Sequence, residues 1–303
     1  MIDTKALGYV VIETTDLAKW EHFGTRIMGL MVAPSLQEDG VLYLKMDEYP
    51  YRFRIVKSDK DRFGVAGWEV AGPQEFAQAV RELEAAGIAC ERASPAACKA
   101  RLLSEMVAFT APGGLRCELF YYMRLDYLPL ISPVGVKGFV TGFNGTMGLG
   151  HIAAATPDLA ASHRFFTSVM GFGQTDYLHL HFSPDPADPG QGLHFLHAAN
   201  PRHHSLALFQ SADPLPGDLV HLMVEVPDLD TLGAFMDRVH AGGVRVITCL
   251  GRHTNDRMVS IYVETPAGFA LEYGFDGLQI DWSNYVPTFS KRESHWGHRW
   301  GQG

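Results

Sequence analysis

The chain has 303 residues, 47% of them hydrophobic, and sets 25 Lys and Arg against 34 Asp and Glu for a formal charge of -9. A chain of this length can bury two ordinary cores, whereas a negative balance without a basic run excludes nucleic acid and anionic membrane as partners, because both need a positive face. Cys90, Cys98, Cys117 and Cys249 show neither CxxC spacing nor a disulfide framework, the amino terminus has no basic segment leading into an apolar run, and no apolar stretch reaches the roughly 20 residues that span a bilayer. These features predict a globular protein of a reducing cytoplasm that acts on a small molecule.

The first predicted elements are an alternating strand from Gly8 and a helix capped by Asp16 and ended by Gly29. A second helix is predicted over Gln74 to Ala86, where Phe76, Val80 and Leu83 share a side. Ala111-Pro112-Gly113-Gly114 then turns the chain into a strand carrying Glu118. From about Leu128 to Met147, Pro133, Gly135, Gly138, Gly142 and Gly145 mark a connection, which predicts domains over 1–135 and 136–303.

After this connection the pattern begins again. Gly150-His151-Ile152 answers Gly8-Tyr9-Val10, Asp158 answers Asp16, Gly171 answers Gly29, and Thr265-Pro266-Ala267-Gly268 through Glu272 answers Ala111-Pro112-Gly113-Gly114 through Glu118. A helix over Leu229 to Ala241, with Leu232, Phe235, Met236 and Val239 on one side, matches the one near residue 80. One fold is used twice, and each half reads as two units of strand, helix and several strands. The tail from Gly277 has no counterpart in the first half and is expected to pack across the second.

Histidine breaks the symmetry: of 14 in the chain, only His22 precedes His151. A duplicated scaffold with imidazoles confined to one half points to a site there, most simply a metal. Strand alternation sets His221 opposite Val220, Leu222 and Val224, places Glu272 beside Ala270 and Gly274, and flanks His151 with Ala153. A buried carboxylate calls for positive charge, and two neutral imidazoles with a divalent cation meet that need. Two His and one carboxylate suit Fe(II) with coordination positions left open; zinc also accepts such ligands, but no HExxH helix is present. If Pro266-Ala267-Gly268 is a three-residue loop, Tyr262 falls opposite Glu272, where the first half has Ala108. His179 with His181, and His194 with His197, lack an accompanying carboxylate motif, and residues 184–192 read as an exposed loop. His295, Trp296 and His298 read as tail packing.

Taken in order, Gly150-His151-Ile152, Arg202-His203-His204-Ser205, Val220-His221-Leu222-Met223, Gly251-Arg252-His253-Thr254-Asn255-Asp256, Tyr262, Thr265-Pro266-Ala267-Gly268, Leu271-Glu272-Tyr273-Gly274 and Trp296-Gly297-His298 resemble the type I extradiol catechol dioxygenases of the vicinal oxygen chelate superfamily, similar to the 2,3-dihydroxybiphenyl 1,2-dioxygenases. The resemblance covers nearly the whole chain. It implies an α+β fold of two domains, each of paired βαβββ modules, with Fe(II) in the carboxy-terminal one and a homo-oligomeric, often octameric, assembly. The implied reaction is ring cleavage of a substituted, biaryl or fused-ring catechol by O2. It further implies that His151, His221 and Glu272 bind iron, that His204 is an acid/base residue, that His253 and Tyr262 hold the substrate oxygens, and that Asn255 and Asp256 support that loop. Leu196 and the Phe195 strand are expected to line an apolar pocket. Ser205 to Val220 is slightly longer than in the biphenyl enzymes, which bears on pocket shape. A glyoxalase-like metal isomerase or a small-molecule binding protein on the same scaffold are the competing readings.

Overall fold

A computed structural model describes residues 1–301 apart from 182, 184 and 186; two residues of the expected 184–192 loop therefore lie outside the described residues. The first half runs β1 (Ala6–Thr14), α1 (Leu17–His22), β2 (Met31–Val32), β3 (Val41–Lys45) and β4 (Phe53–Lys57), then β5 (Arg62–Glu69), α2 (Pro73–Ala85), β6 (Glu91–Arg92), α3 (Pro95–Ala100), β7 (Leu103–Thr110) and β8 (Arg116–Met123). The second repeats it as β9 (His151–Thr156), α4 (Leu159–Ser168), β10 (Gly173–Leu180), β11 (Gln191–His197) and β12 (Leu206–Gln210), then β13 (His221–Glu225), α5 (Leu229–Ala241), β14 (Val246–His253), β15 (Val259–Glu264) and β16 (Ala270–Phe275). Each half is thus two βαβββ modules, with α3 added between β6 and β7. The tail adds β17 (Thr288–Ser290) and β18 (Ser294–Trp296). Between Met123 and His151 the sole regular element is a 3₁₀ turn at Phe143–Gly145.

Local signals explain the elements. The Asp16 carboxylate accepts from the amides of Ala18 and Lys19, and that of Asp158 from Ala161, satisfying donors that a helix start leaves orphaned. Gly29 and Gly171 close those helical segments at φ of 86° and 74°, a region costly for residues with a Cβ. Helix α2 buries Phe76, Ala79, Val80 and Leu83, and α5 buries Leu232, Phe235 and Val239. No helix among the described residues is long and apolar enough to cross a membrane.

The first sheet has the order β2-β3-β4-β1-β5-β8-β7-β6 and the second β17-β10-β11-β12-β9-β13-β16-β15-β14-β18. Within each, the two modules meet where their first strands pair antiparallel, β1 with β5 and β9 with β13. One face of both sheets shares a single hydrophobic cluster, from Leu7, Val10 and Trp68 to Ile152, Leu222 and Tyr273. The tail does more than pack across the domain: β17 pairs with β10 and β18 with β14, so it extends both edges of the second sheet.

The opposite faces of the two sheets differ. In the first half that face carries its own packed cluster of Tyr9, Tyr43, Tyr51, Val65, Met106 and Phe120. In the second it encloses a cavity of about 230 Å³.

Candidate metal centre and active-site cavity

Three central strands of the second sheet set the floor of the cavity. His151 opens β9, and His221 opens β13 opposite Ala153 and beside Ala270. Glu272 lies on β16, paired with Met223 on one side and Tyr262 on the other. The hairpin that fixes this last pairing closes as its spacing predicts, with Gly268 at φ 90° and its amide bonded to the Thr265 carbonyl. The alanines beside His221 leave open the space into which the imidazole and the carboxylate project. Gly150 lets β9 approach β13 closely, since a Cβ there would collide with the Met223 carbonyl.

Nε2 of His151 lies 3.0 Å from Nε2 of His221, and Oε2 of Glu272 lies 3.3 Å and 3.5 Å from the two nitrogens. An ion about 2.1 Å from three adjacent ligands would space them roughly 3.0–3.5 Å apart, so this triangle fits a divalent cation. The chemistry fits as well. A proton shared between two facing imidazole nitrogens leaves the buried carboxylate without a full counter-charge, whereas one cation satisfies all three groups. Burial holds the His221 imidazole down to about 3 despite the opposing carboxylate, which keeps its lone pair free. Burial alone would raise Glu272, but hydrogen bonds from His151 and His253 hold it well below the usual carboxylate range.

Around this floor stand the other residues singled out by the sequence. His253 Nε2 is 2.8 Å from the Tyr262 hydroxyl and 3.3 Å from Glu272 Oε1. Burial lowers an imidazole, yet the Glu272 carboxylate outweighs it and pushes His253 up to about 9. Burial, and then Glu272, raise Tyr262 well above the usual phenol range. The His204 ring lies 3.9 Å from that of His151, its Nδ1 3.0 Å from Nδ1 of His203 and 4.0 Å from Asp256 Oδ2. Burial, then the neighbouring His151, lower the His204 imidazole well below its ordinary value. Asn255 and Asp256 both line the cavity, and Asp256 braces its own loop by accepting from the Met258 amide. Leu178, Leu180, Leu193, Phe195 and Phe209 form an apolar wall.

Leu196 requires a correction. It was expected at the pocket, but it is fully buried in the hydrophobic cluster on the other face of the sheet. The register gives the reason: Leu196 pairs with Leu206 and that residue with Ile152, a row facing the core, whereas Phe195, Ala207 and Ala153 form the adjacent row facing the cavity. His298, read as tail packing, packs inward: its imidazole is buried 4.1 Å from the His253 ring and bonded to Ser260 and Ser294. Glu293 and Trp300 of the same tail line the cavity and bond to each other. No motif flagged Ser260, Glu293 or Trp300. Trp296-Gly297-His298, at the end of the resemblance, is the one sequence signal for the tail.

The remaining histidine pairs stay outside the cavity. His179 bonds Tyr177 and the Pro189 carbonyl, His194 bonds Gln174, and His197 stacks on Trp282 at 3.4 Å. His253, Glu293 and His298 also bring ligand-type atoms within 4.8 Å of one another, but Tyr262, Trp300 and Ser294 already occupy them.

Residues 148–273 match the Glyoxalase/Bleomycin resistance protein/Dioxygenase superfamily, and residues 7–57 match the first domain of dihydroxybiphenyl dioxygenase BphC. The chain is 36% identical over 296 residues to an iron-dependent extradiol dioxygenase of Rhodococcus jostii (strain RHA1), covering 97% of this chain and 96% of the relative. It is 36% identical to a biphenyl-2,3-diol 1,2-dioxygenase of Metapseudomonas furukawaii, covering 97% and 93%. The crystal structure of BphC, a halotolerant catechol dioxygenase, superimposes with a TM-score of 0.89 at 34% identity, covering 100% of this chain and 96% of that one. With the duplicated βαβββ fold and the histidine-lined cavity of its second half, the chain belongs to the extradiol ring-cleaving dioxygenases of the vicinal oxygen chelate superfamily.

Proposed function

We propose that the protein opens the ring of a catechol bearing an apolar substituent, biaryl or fused-ring catechols included, next to the diol, using O2 and an Fe(II) ion held by His151, His221 and Glu272. The observation that carries this reading is the triangle of ligand atoms at the floor of an apolar cavity. In such a set Fe(II) supplies adjacent coordination of diol and dioxygen, with electron density passing between them.

The chain's own groups supply the rest. Tyr262 and His253 stand beside Glu272 as hydrogen-bonding partners for the diol oxygens, and their mutual bond fixes both orientations before substrate arrives. His204, whose ring packs 3.9 Å from that of His151, takes a proton from a diol hydroxyl in this reading and returns it to a reacting oxygen. Asn255 and Asp256 hold the loop that carries His253. The wall of Leu178, Leu180, Leu193, Phe195 and Phe209 excludes water and receives the ring substituent, and it offers a charged substituent no partner.

Four free thiols support a cytoplasmic site of action. Exposed Tyr127, Ile131 and Phe143 in the connecting segment support a homo-oligomer. The decisive test is anaerobic loading with Fe(II), followed by oxygen uptake and formation of a visible-absorbing product across unsubstituted, alkyl, biaryl, fused-ring and carboxylated catechols. The expected result is one O2 per diol with preference for apolar substituents; no uptake with any catechol would defeat the proposal.

A further inference from the structure

The two carboxylate oxygens of Glu272 have different surroundings. Oε2 faces the two imidazoles, whereas Oε1 accepts a hydrogen bond of 2.6 Å from Ser260 Oγ. Ser260 is fully buried, and its hydroxyl lies 3.2 Å from Nε2 of His298. That same nitrogen is 3.1 Å from the Ser260 carbonyl, while Nδ1 is 2.7 Å from Ser294 Oγ.

The proton directions follow from donor and acceptor capacity. A carbonyl can only accept, so Nε2 of His298 carries the proton and shares it between the carbonyl and hydroxyl oxygens of Ser260. Nδ1 is then the acceptor for Ser294, and the single proton of Ser260 goes to Glu272. Every bond in the row Ser294, His298, Ser260, Glu272 points its donor toward the carboxylate, an arrangement in which each bond polarises the next.

The backbone is shaped to bring the imidazole there. Strand β18 pairs with β14 through Trp296 with Arg252 and Ser294 with His253. The chain then turns inward at Gly297, with φ 76°, where a Cβ would collide with the Leu250 carbonyl and Gly251. A Cβ on Gly251 would in turn sit 2.5 Å from the His298 backbone nitrogen and ring. His298 itself is held at φ 46°, a region that residues with a Cβ rarely occupy. In the first half the place of Ser260 is taken by Met106, whose sulfur meets Tyr9 and Arg101. The row is thus peculiar to the half with the ligand triangle.

We propose that Ser260 and His298 are positioning residues of the metal centre. They hold Oε1 of Glu272 aside so that Oε2 alone is offered to the ion, and they make the carboxy-terminal segment 294–298 a working part of the site. The proposal rests on the reading of His151, His221 and Glu272 as ligands. The experiment loads wild type, Ser260→Ala, His298→Ala, the double variant and His298→Gln with Fe(II) under anaerobic conditions and times iron release to a chelator, with apo-protein melting as the folding control. Groups that orient ligands typically change metal affinity or activity 10–100-fold. Each single alanine variant should therefore release iron about 10–100-fold faster than wild type at an unchanged apo melting temperature. The double variant should be no worse than either single one, because the two act in series, and His298→Gln, which keeps a donor toward Ser260, should recover most of the loss. Wild-type release rates in both single variants, or additive losses in the double, would overturn the proposal. Failure of the wild type to retain iron would instead overturn the ligand reading beneath it.

Discussion

The first half keeps a glutamate where the second has Glu272, and the structure shows what neutralises it. Glu118 accepts from Arg101 at 2.6 Å and 3.0 Å and from the Tyr9 hydroxyl at 2.5 Å, with both members of the ion pair almost wholly buried. A guanidinium from the start of the β7 hairpin thus takes the role that a divalent cation would fill beside Glu272 in the other copy. Arg101→Met keeps much of the volume and removes the charge, stranding a buried carboxylate at a cost of about 3–5 kcal/mol. At roughly 2–4 °C per kcal/mol for a unit of about 150 residues or more, calorimetry at neutral pH should show the melting temperature lowered by about 6–20 °C. Arg101→Met combined with Glu118→Leu should recover most of that loss, since replacing a whole buried pair with apolar groups is often neutral. The Tyr9 hydroxyl then keeps only the Met106 sulfur, 3.4 Å away, as its acceptor, which leaves a residue of about 1 kcal/mol. Iron content should match wild type throughout. A single variant that melts within 2 °C of wild type, roughly 1 kcal/mol by the same conversion, would refute the claim that Arg101 replaces a cation.

The second half yields its own predictions. His221→Ala should abolish iron retention by metal analysis, whereas His204→Phe should keep iron and slow turnover about 10²–10⁴-fold, the usual share of a proton-transfer residue. Phe195→Ala should raise KM for a biaryl catechol by about tenfold or more with little effect on unsubstituted catechol, while its neighbour Leu196→Ala should cost about 2–5 kcal/mol of stability and leave both KM values alone. The acid limb should report Glu118. Burial raises that carboxyl but Arg101 outweighs it and holds it below its ordinary value of 4.5, so its contribution to stability is present above that pH and is lost as the pH falls through the lowered value. Melting temperature below pH 4.5 should therefore fall less steeply in the Arg101→Met, Glu118→Leu variant than in wild type.

The parts of the site legible in the sequence are those fixed by short-range rules. Alternation gives the faces of His151, His221 and Glu272, and a three-residue hairpin loop gives the pairing of Tyr262 with Glu272, because each depends on residues a few positions apart. Leu196 failed for the complementary reason. Alternation shows that Phe195 and Leu196 face opposite ways, but which one faces the cavity depends on pairing with Leu206 and Ala207 across the sheet, and one step of register reverses the answer. Arg101 was illegible in detail though not in principle, since a buried Glu118 without imidazoles demands a cation from somewhere. His298 reaches Ser260 only through a tight turn at Gly297, and nothing in local propensity says that a tail will fold inward.

The same backbone therefore has two interiors, and the contrast explains what the first copy contributes. A hollow face forfeits the packing that Tyr9, Tyr43, Tyr51 and Phe120 provide in the first half, so the strands bearing His151, His221 and Glu272 need support from behind. They have it on the shared core. Tyr273, adjacent to Glu272, stacks flat on Phe235 at 3.9 Å and donates its hydroxyl to the Met28 carbonyl of the first half. The Leu149 amide, just before His151, bonds to the Leu7 carbonyl, and Trp68 packs edge-on against Phe172. Side chains on one face of a strand inherit the rigidity of those on the other. The first half thus fixes, from the rear, the strands whose front must remain open, and that gives a copy without ligands a physical reason to persist.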